Sequence, residues 1–305
     1  MERQTTLRES VSASGVGLHT GQHVNVHLSP APAFAGYVFR RVDLDGFEVP
    51  AVPGSVARVS YATTLMRQGV MVATVEHLLA ALVGSGVDNC IVDIDGMEVP
   101  ILDGSAEPWV DLIESAGIAQ LEAGRQFLRI LKPVEVVESN RSIRIEPCDE
   151  YRVTCRIDFD NPFVGRQERS VSISNGEFLS HLAAARTFTF LHEVEALRAA
   201  GLIQGGSLEN AIVITPEGGM MNDVGLRWPD EFVRHKMLDL VGDLALFGLH
   251  VHGHVIADRA GHALHTQLVA KVVRDESAWE ITTSEASHAA ARSSAVAEQP
   301  SATTR

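Results

Sequence analysis

A repeated pattern restricts this chain more than any single residue does: alternating strand-like segments followed by apolar helices occur once before about residue 122 and again after it. In GQHVNVHLSP, His23, Asn25 and His27 interleave with Val24, Val26 and Leu28, the period of a strand with one buried face. CIVDIDGMEVPILDG, from residue 90, reads as strand, Asp-Gly turn and strand. TVEHLLAALVG at 74–84 carries apolar groups at helical spacing behind Thr74, a plausible N-cap, and a second helix is expected over about 106–116. After Leu121-Glu122-Ala123-Gly124 the strands resume in QFLRILKPVEVVE, RSIRIEP and YRVTCRIDFD, with helices expected near 176–185 and over about 230–247. The simplest reading is an α+β protein of two similar domains, 1–122 and 127–283, joined by a linker at 123–126. Residues 284–305, rich in Ala, Ser and Thr without apolar periodicity, are expected to be a disordered tail.

A length of 305 residues suffices for two cores, and a composition 45% hydrophobic and 21% charged is that of a globular protein. The three cysteines, Cys90, Cys148 and Cys155, are too few and too irregular for a disulfide framework or a Cys-rich zinc finger, which points to a reducing compartment. No signal-like segment opens the chain and no apolar run is long enough to span a membrane, so a cytoplasmic location is expected. A net charge of −14 disfavours nucleic acid as a partner, and an anionic substrate would need a local basic site.

The chemistry concentrates on the helix expected at 230–247. His235 and Asp239 leave the same face one turn apart, and Asp243 continues the row among Phe232, Met237, Leu238, Val241 and Leu244. Such a polar stripe on an apolar helix must be satisfied by something. A lone H-x-x-x-D can be no more than a solvated surface pair. Glu76-His77, at the start of another apolar helix, supplies a third donor beside a carboxylate; hydrolytic zinc sites use three N/O ligands, leave the fourth position to water and keep a carboxylate near it. The same dipeptide is also compatible with capping and solvation. His262, in the loop-like RAGHALH, is a candidate for acid–base work or simply a solvated histidine. His250, His252 and His254 share one strand face and form a rival metal site, although no neighbouring carboxylate completes it. Gly15-Val16-Gly17 lacks the third glycine and the helix of a nucleotide fingerprint.

Read together, SGVGLHTG at 14–21, TVEHLLAAL at 74–82, GVDN at 86–89, LDGSAEPW at 102–109, ARTF at 185–188, QGGSLENAIV at 204–213, and EFVRHKMLDLVGDL with AGHAL make the chain resemble the UDP-3-O-acyl-N-acetylglucosamine deacetylases of lipid A biosynthesis in Gram-negative bacteria, over about residues 3–280. The resemblance implies two domains, each a two-layer β-sheet arrangement packed around central helices, with the active site at their interface. It implies Zn²⁺, with Fe²⁺ an acceptable substitute, on His77, His235 and Asp239. Glu76 is then the general base and His262 the general acid. Asp243 orients His262, Lys236 adds positive charge, Thr187 stabilises the oxyanion, and His19 and Phe188 lie near the substrate. The implied partner is a UDP-linked, acylated N-acetylglucosamine, hydrolysed by a monomer in the cytoplasm or peripherally at the inner membrane. Arg259 and Arg141 would meet the diphosphate and Phe159 the uracil, although Arg stands at two positions where the family commonly has Lys. The segment from Phe190 to Ile212 corresponds to an insert that forms a passage for the acyl chain; its apolar residues are equally readable as core. The rivals are a non-catalytic binder of UDP-sugars, an amidohydrolase for another N-acetyl sugar, and a structural zinc protein.

Overall fold

The computed structural model describes residues 2–173 and 176–283; the tail expected from residue 284 lies outside the described residues. It is an α+β fold of several sheets and, among the described residues, six α-helices. In the first half, strands Val11–Val16, His23–Pro30, Cys90–Ile94, Tyr37–Arg41 and Phe47–Pro50 form a five-stranded sheet in that order. His23–Pro30 buries Val24, Val26 and Leu28 and exposes His23, Asn25 and His27, as its alternation requires. Helix α1 (Glu76–Gly84) is buried from Glu76 to Leu82, and α2 (Glu107–Ala116) packs against it through a face that includes Trp109 and Ile113.

In the second half, strand His250–Asp258 runs parallel to Gln126–Ile130 and Tyr151–Asp158 and antiparallel to Arg141–Glu146. Its Val251, Val255 and Ala257 face inward. The remaining helices are α3 (Glu177–His181), α4 (Leu191–Ala199), α5 (Glu231–Leu244) and α6 (His262–Arg274). Helix α5 lies along strand Tyr151–Asp158 and packs against α1. At Gly242 the approach is tight: an added Cβ would stand 2.0 Å from the Glu76 carbonyl oxygen. Only glycine allows the two helices to meet so tightly, and their meeting brings the start of α1 beside the ligand face of α5.

Several local expectations need correction. Thr74 does not cap α1: Val75 occupies that position, while Thr74 takes φ +57° and its hydroxyl donates to Glu98. The segment after the Asp-Gly turn does not form a second strand; isolated bridges tie Glu98 to Ala73 and Pro100 to Gly17. The helix expected at 176–185 stops at His181: Leu182 leaves the helical region at φ −124°, the Ala183 N–H donates to Phe178 instead of Leu179, and the Ala185 N–H donates to Leu182. His262 is the first residue of α6 and not a loop residue. Neither α6 nor α4 was expected; α4 is largely exposed, with only Leu197 buried, and its short apolar face of Leu191, Val194 and Leu197 gives a weak helical signal.

Candidate active site and metal centre

His77, on the first turn of α1, meets His235 and Asp239, one turn apart on α5. One donor atom from each lies within 4.8 Å of the others, and all three side chains are buried. Asp239 Oδ1 stands 3.4 Å from His77 Nε2 and 3.3 Å from His235 Nε2, and the two imidazoles cross at 89°. His235 Nδ1 donates to the Ala185 carbonyl at 3.0 Å, which fixes the ring and leaves the Nε2 lone pair free. Burial pulls the His235 pKa down to about 3, so the ring is neutral. Burial alone would raise Asp239, but His235 and Lys236 hold it well below the usual carboxylate range.

Glu76 is 3% exposed, and burial raises its pKa. Its Oε2 accepts the Thr63 N–H at 3.1 Å, and its Oε1 stands 4.0 Å from His262 Nε2. The other His262 nitrogen, Nδ1, donates to Asp243 Oδ2 at 2.7 Å. Burial pulls the imidazolium of His262 down; Asp243 and Glu76 outweigh this and hold its pKa at about 9. Asp243, fully buried, also accepts the Thr63 hydroxyl on Oδ1 at 2.5 Å and His265 Nδ1 on Oδ2 at 2.8 Å. Burial alone would raise Asp243, but the two histidines hold it down at about 2.

Lys236 Nζ donates to Asp239 Oδ2 at 2.7 Å and lies 5.8 Å from the centre of the Phe188 ring. Burial lowers its pKa, and Asp239 more than compensates. These residues, with Thr187, line a pocket of about 160 Å³. Thr187 and Phe188 also line a neighbouring, mostly apolar cavity of about 300 Å³, with His19 and with Leu191, Val194 and Leu197 of α4. Both His19 ring nitrogens are buried without a hydrogen-bond partner, and burial lowers its pKa.

The residues expected at the nucleotide do not join this cluster. Phe159 packs between Phe188 and Phe190, Arg259 donates to Asp258, and Arg141 pairs with Glu138 on an exposed hairpin; none of the three lines either cavity. The rival site on strand His250–Asp258 does not converge: His250 meets Asp88, His252 stacks on Phe127, and His254 bonds Thr154. Three supporting residues escaped the sequence reading. Thr63 links Glu76 to Asp243, and His265 shares Asp243 with His262. Glu98, fully buried, accepts the N–H groups of His19 and Thr20 and the Thr74 hydroxyl, so one carboxylate ties the His19 loop to the segment entering α1. A side chain at Gly17 would collide with it, since the Cβ would stand 2.5 Å from Glu98 Oε2.

Residues 4–274 match the family model described as UDP-3-O-acyl N-acetylglycosamine deacetylase. The chain is 50% identical to the UDP-3-O-acyl-N-acetylglucosamine deacetylase of Solibacter usitatus, covering 93% of this chain and 95% of that protein. The enzymes of the same name from Saccharophagus degradans and Myxococcus xanthus are 46% and 48% identical, over 93% and 91% of this chain and 95% and 88% of theirs.

Proposed function

This chain belongs to the UDP-3-O-acyl N-acetylglycosamine deacetylase family, and on that footing we propose that it hydrolyses the acetamide of a UDP-3-O-(3-hydroxyacyl)-N-acetylglucosamine. The products are acetate and UDP-3-O-acyl-glucosamine, at the committed step of lipid A biosynthesis. The observation that carries the reading is the meeting of His77, His235 and Asp239 with Glu76 and His262 in one buried pocket that adjoins an apolar cavity.

The three donors fit a divalent metal. A neutral imidazole fixed by a backbone carbonyl, a second imidazole and an ionised carboxylate, all buried, make a two-histidine, one-carboxylate set that suits Zn²⁺ and also accepts Fe²⁺. Such an ion, when bound, acidifies water and polarises the acetamide carbonyl. Glu76, whose Oε2 is held by the Thr63 N–H, takes the proton of the attacking water at Oε1. His262 Nε2 lies 4.0 Å from that oxygen and, cationic through Asp243, passes a proton to the departing nitrogen. Without that proton the amine is a poor leaving group. Thr187 and Lys236 line the pocket, and in this reading the Thr187 hydroxyl donates to the developing oxyanion while Lys236 adds positive charge beside it.

The apolar cavity along α4 suits a fatty-acyl chain. Phe159, Arg259 and Arg141 are offered as contacts of the UDP group, on the family resemblance alone. A monomer in the cytoplasm is proposed on the family resemblance alone; among the described residues no helix is long and apolar enough to cross a membrane. The reading is tested by acetate release from the acylated substrate against UDP-N-acetylglucosamine: strong preference for the acylated sugar supports it, and equal turnover or none contradicts it.

A further inference from the structure

His265 is buried, titratable and unused by the chemistry above, yet it touches that chemistry directly. Helix α6 begins with His262 and presents His265 one turn later, so both rings lean toward α5. Their Nδ1 atoms reach the same atom, Asp243 Oδ2, at 2.7 and 2.8 Å, with the ring centres 6.0 Å apart. An ionised carboxylate only accepts, so both imidazoles present an N–H to it. Thr63 occupies the other oxygen, and three donors from two separate segments therefore hold one carboxylate whose exposure is nil.

We propose that His265 is a positioning residue for the deacetylation: it fixes the Asp243 carboxylate against His262 and draws off part of the charge that Oδ2 offers to that ring. Two physical consequences follow. When His262 gives up its proton, its hold on Oδ2 weakens, and the Thr63 and His265 bonds keep the carboxylate from rotating. In addition, a second N–H on one oxygen weakens what that oxygen gives to the first, so His262 is less basic than Asp243 alone would make it. The other groups facing His262 are Glu76 on α1, Asp239 on α5 and His19 on the 17–20 loop, and none of these bonds Oδ2. Burial lowers the His265 pKa, consistent with a neutral ring carrying its proton on Nδ1. The inference rests on the reading of His262 as proton donor.

The test follows the His262 imidazole by NMR titration in the metal-loaded protein, together with the pH profile of kcat/KM. H265L removes the N–H; in H265N the amide nitrogen hangs on Cγ where Nδ1 does and restores it. H265L is expected to move the His262 midpoint, and the limb where activity falls with rising pH, upward by roughly half to one unit, and H265N to bring both back. An unmoved or lowered midpoint in H265L overturns the proposal, as does failure of H265N to restore it. If H265L does not fold, the unaltered protein still decides: His265 must be neutral and protonated on Nδ1 while His262 is cationic, and a bare Nδ1 overturns the assignment. Absence of acetate release by the unaltered protein refutes the proposed function and leaves the NMR result for His265 standing separately.

Discussion

Gly242 on α5 lies against the Glu76 carbonyl at the start of α1, and an added Cβ would approach that oxygen to 2.0 Å. The backbone that carries the base and the helix that carries two metal donors are thus in direct contact. Gly242→Ala should force them apart, destabilise the fold by about 1–3 kcal/mol and lower metal affinity, read by denaturant titration and metal analysis. Unchanged metal content and stability would show that the close approach does not set the site.

Glu76 and Asp239 are both buried carboxylates, but only Asp239 aims an oxygen at both histidines. Asp239→Ala should lose metal, whereas Glu76→Ala should keep it and lose roughly 10²–10⁴ in kcat, the usual worth of a general base. Equal metal loss in the two variants would reverse their roles.

Glu98 holds the His19 loop through two backbone N–H groups and the α1 entry through Thr74. Glu98→Ala strands these three donors and should cost at least about 1–3 kcal/mol of stability, the penalty for the one fully buried donor, the Thr74 hydroxyl, left unpaired. The loop lines the apolar cavity through Leu18 and His19, so KM for the acylated substrate should rise while metal content stays the same. A normal KM would separate Glu98 from substrate binding.

Asp88 accepts Arg125 at 2.8 Å and meets His250 at 3.0 Å, fastening the turn after α1 to the central strand of the second half. Burial would raise its pKa, but His250 and Arg125 hold it at about 2. A carboxylate depressed in the folded state stabilises above its unfolded pKa and loses that contribution as pH falls through the folded one. About 2 kcal/mol should therefore disappear between pH ~4 and ~2, and Asp88→Asn should abolish this part of the acid dependence. An Asp88→Asn protein with the parent's acid-unfolding curve would rule the clasp out.

Val194 faces the apolar cavity from α4. Val194→Trp should fill it and raise KM at least about tenfold for long-chain substrate, a change of about 1.4 kcal/mol in binding, with little effect on short-chain substrate. A uniform loss across chain lengths would place the acyl group elsewhere.

The legible parts of this protein are those with local periodicity. Strand His23–Pro30 and helix α5 are written in their own spacing, and His235 and Asp239 follow from it once Glu76-His77 is added. Helix α6 also had a signal, since Leu264, Leu268 and Val272 recur every four residues, and reading it would have set His265 beside His262. Glu98 and Thr63 had none. Glu98 acts on backbone N–H groups some 78 residues away, and Thr63 bonds Asp243 across 180 residues, relations that only the fold creates. Arg141 and Arg259 stand apart from both: the family resemblance alone offers them to the diphosphate, and the fold gives each a carboxylate neighbour.

The most direct test of the whole account is acetate release from UDP-3-O-acyl-N-acetylglucosamine before chelation, after it, and after Zn²⁺ is returned. Activity that vanishes with the metal and returns with it, in step with metal bound by the unaltered protein and not by Asp239→Ala, is the predicted result. Undiminished release by protein shown to be metal-free would contradict the assignment of His77, His235 and Asp239.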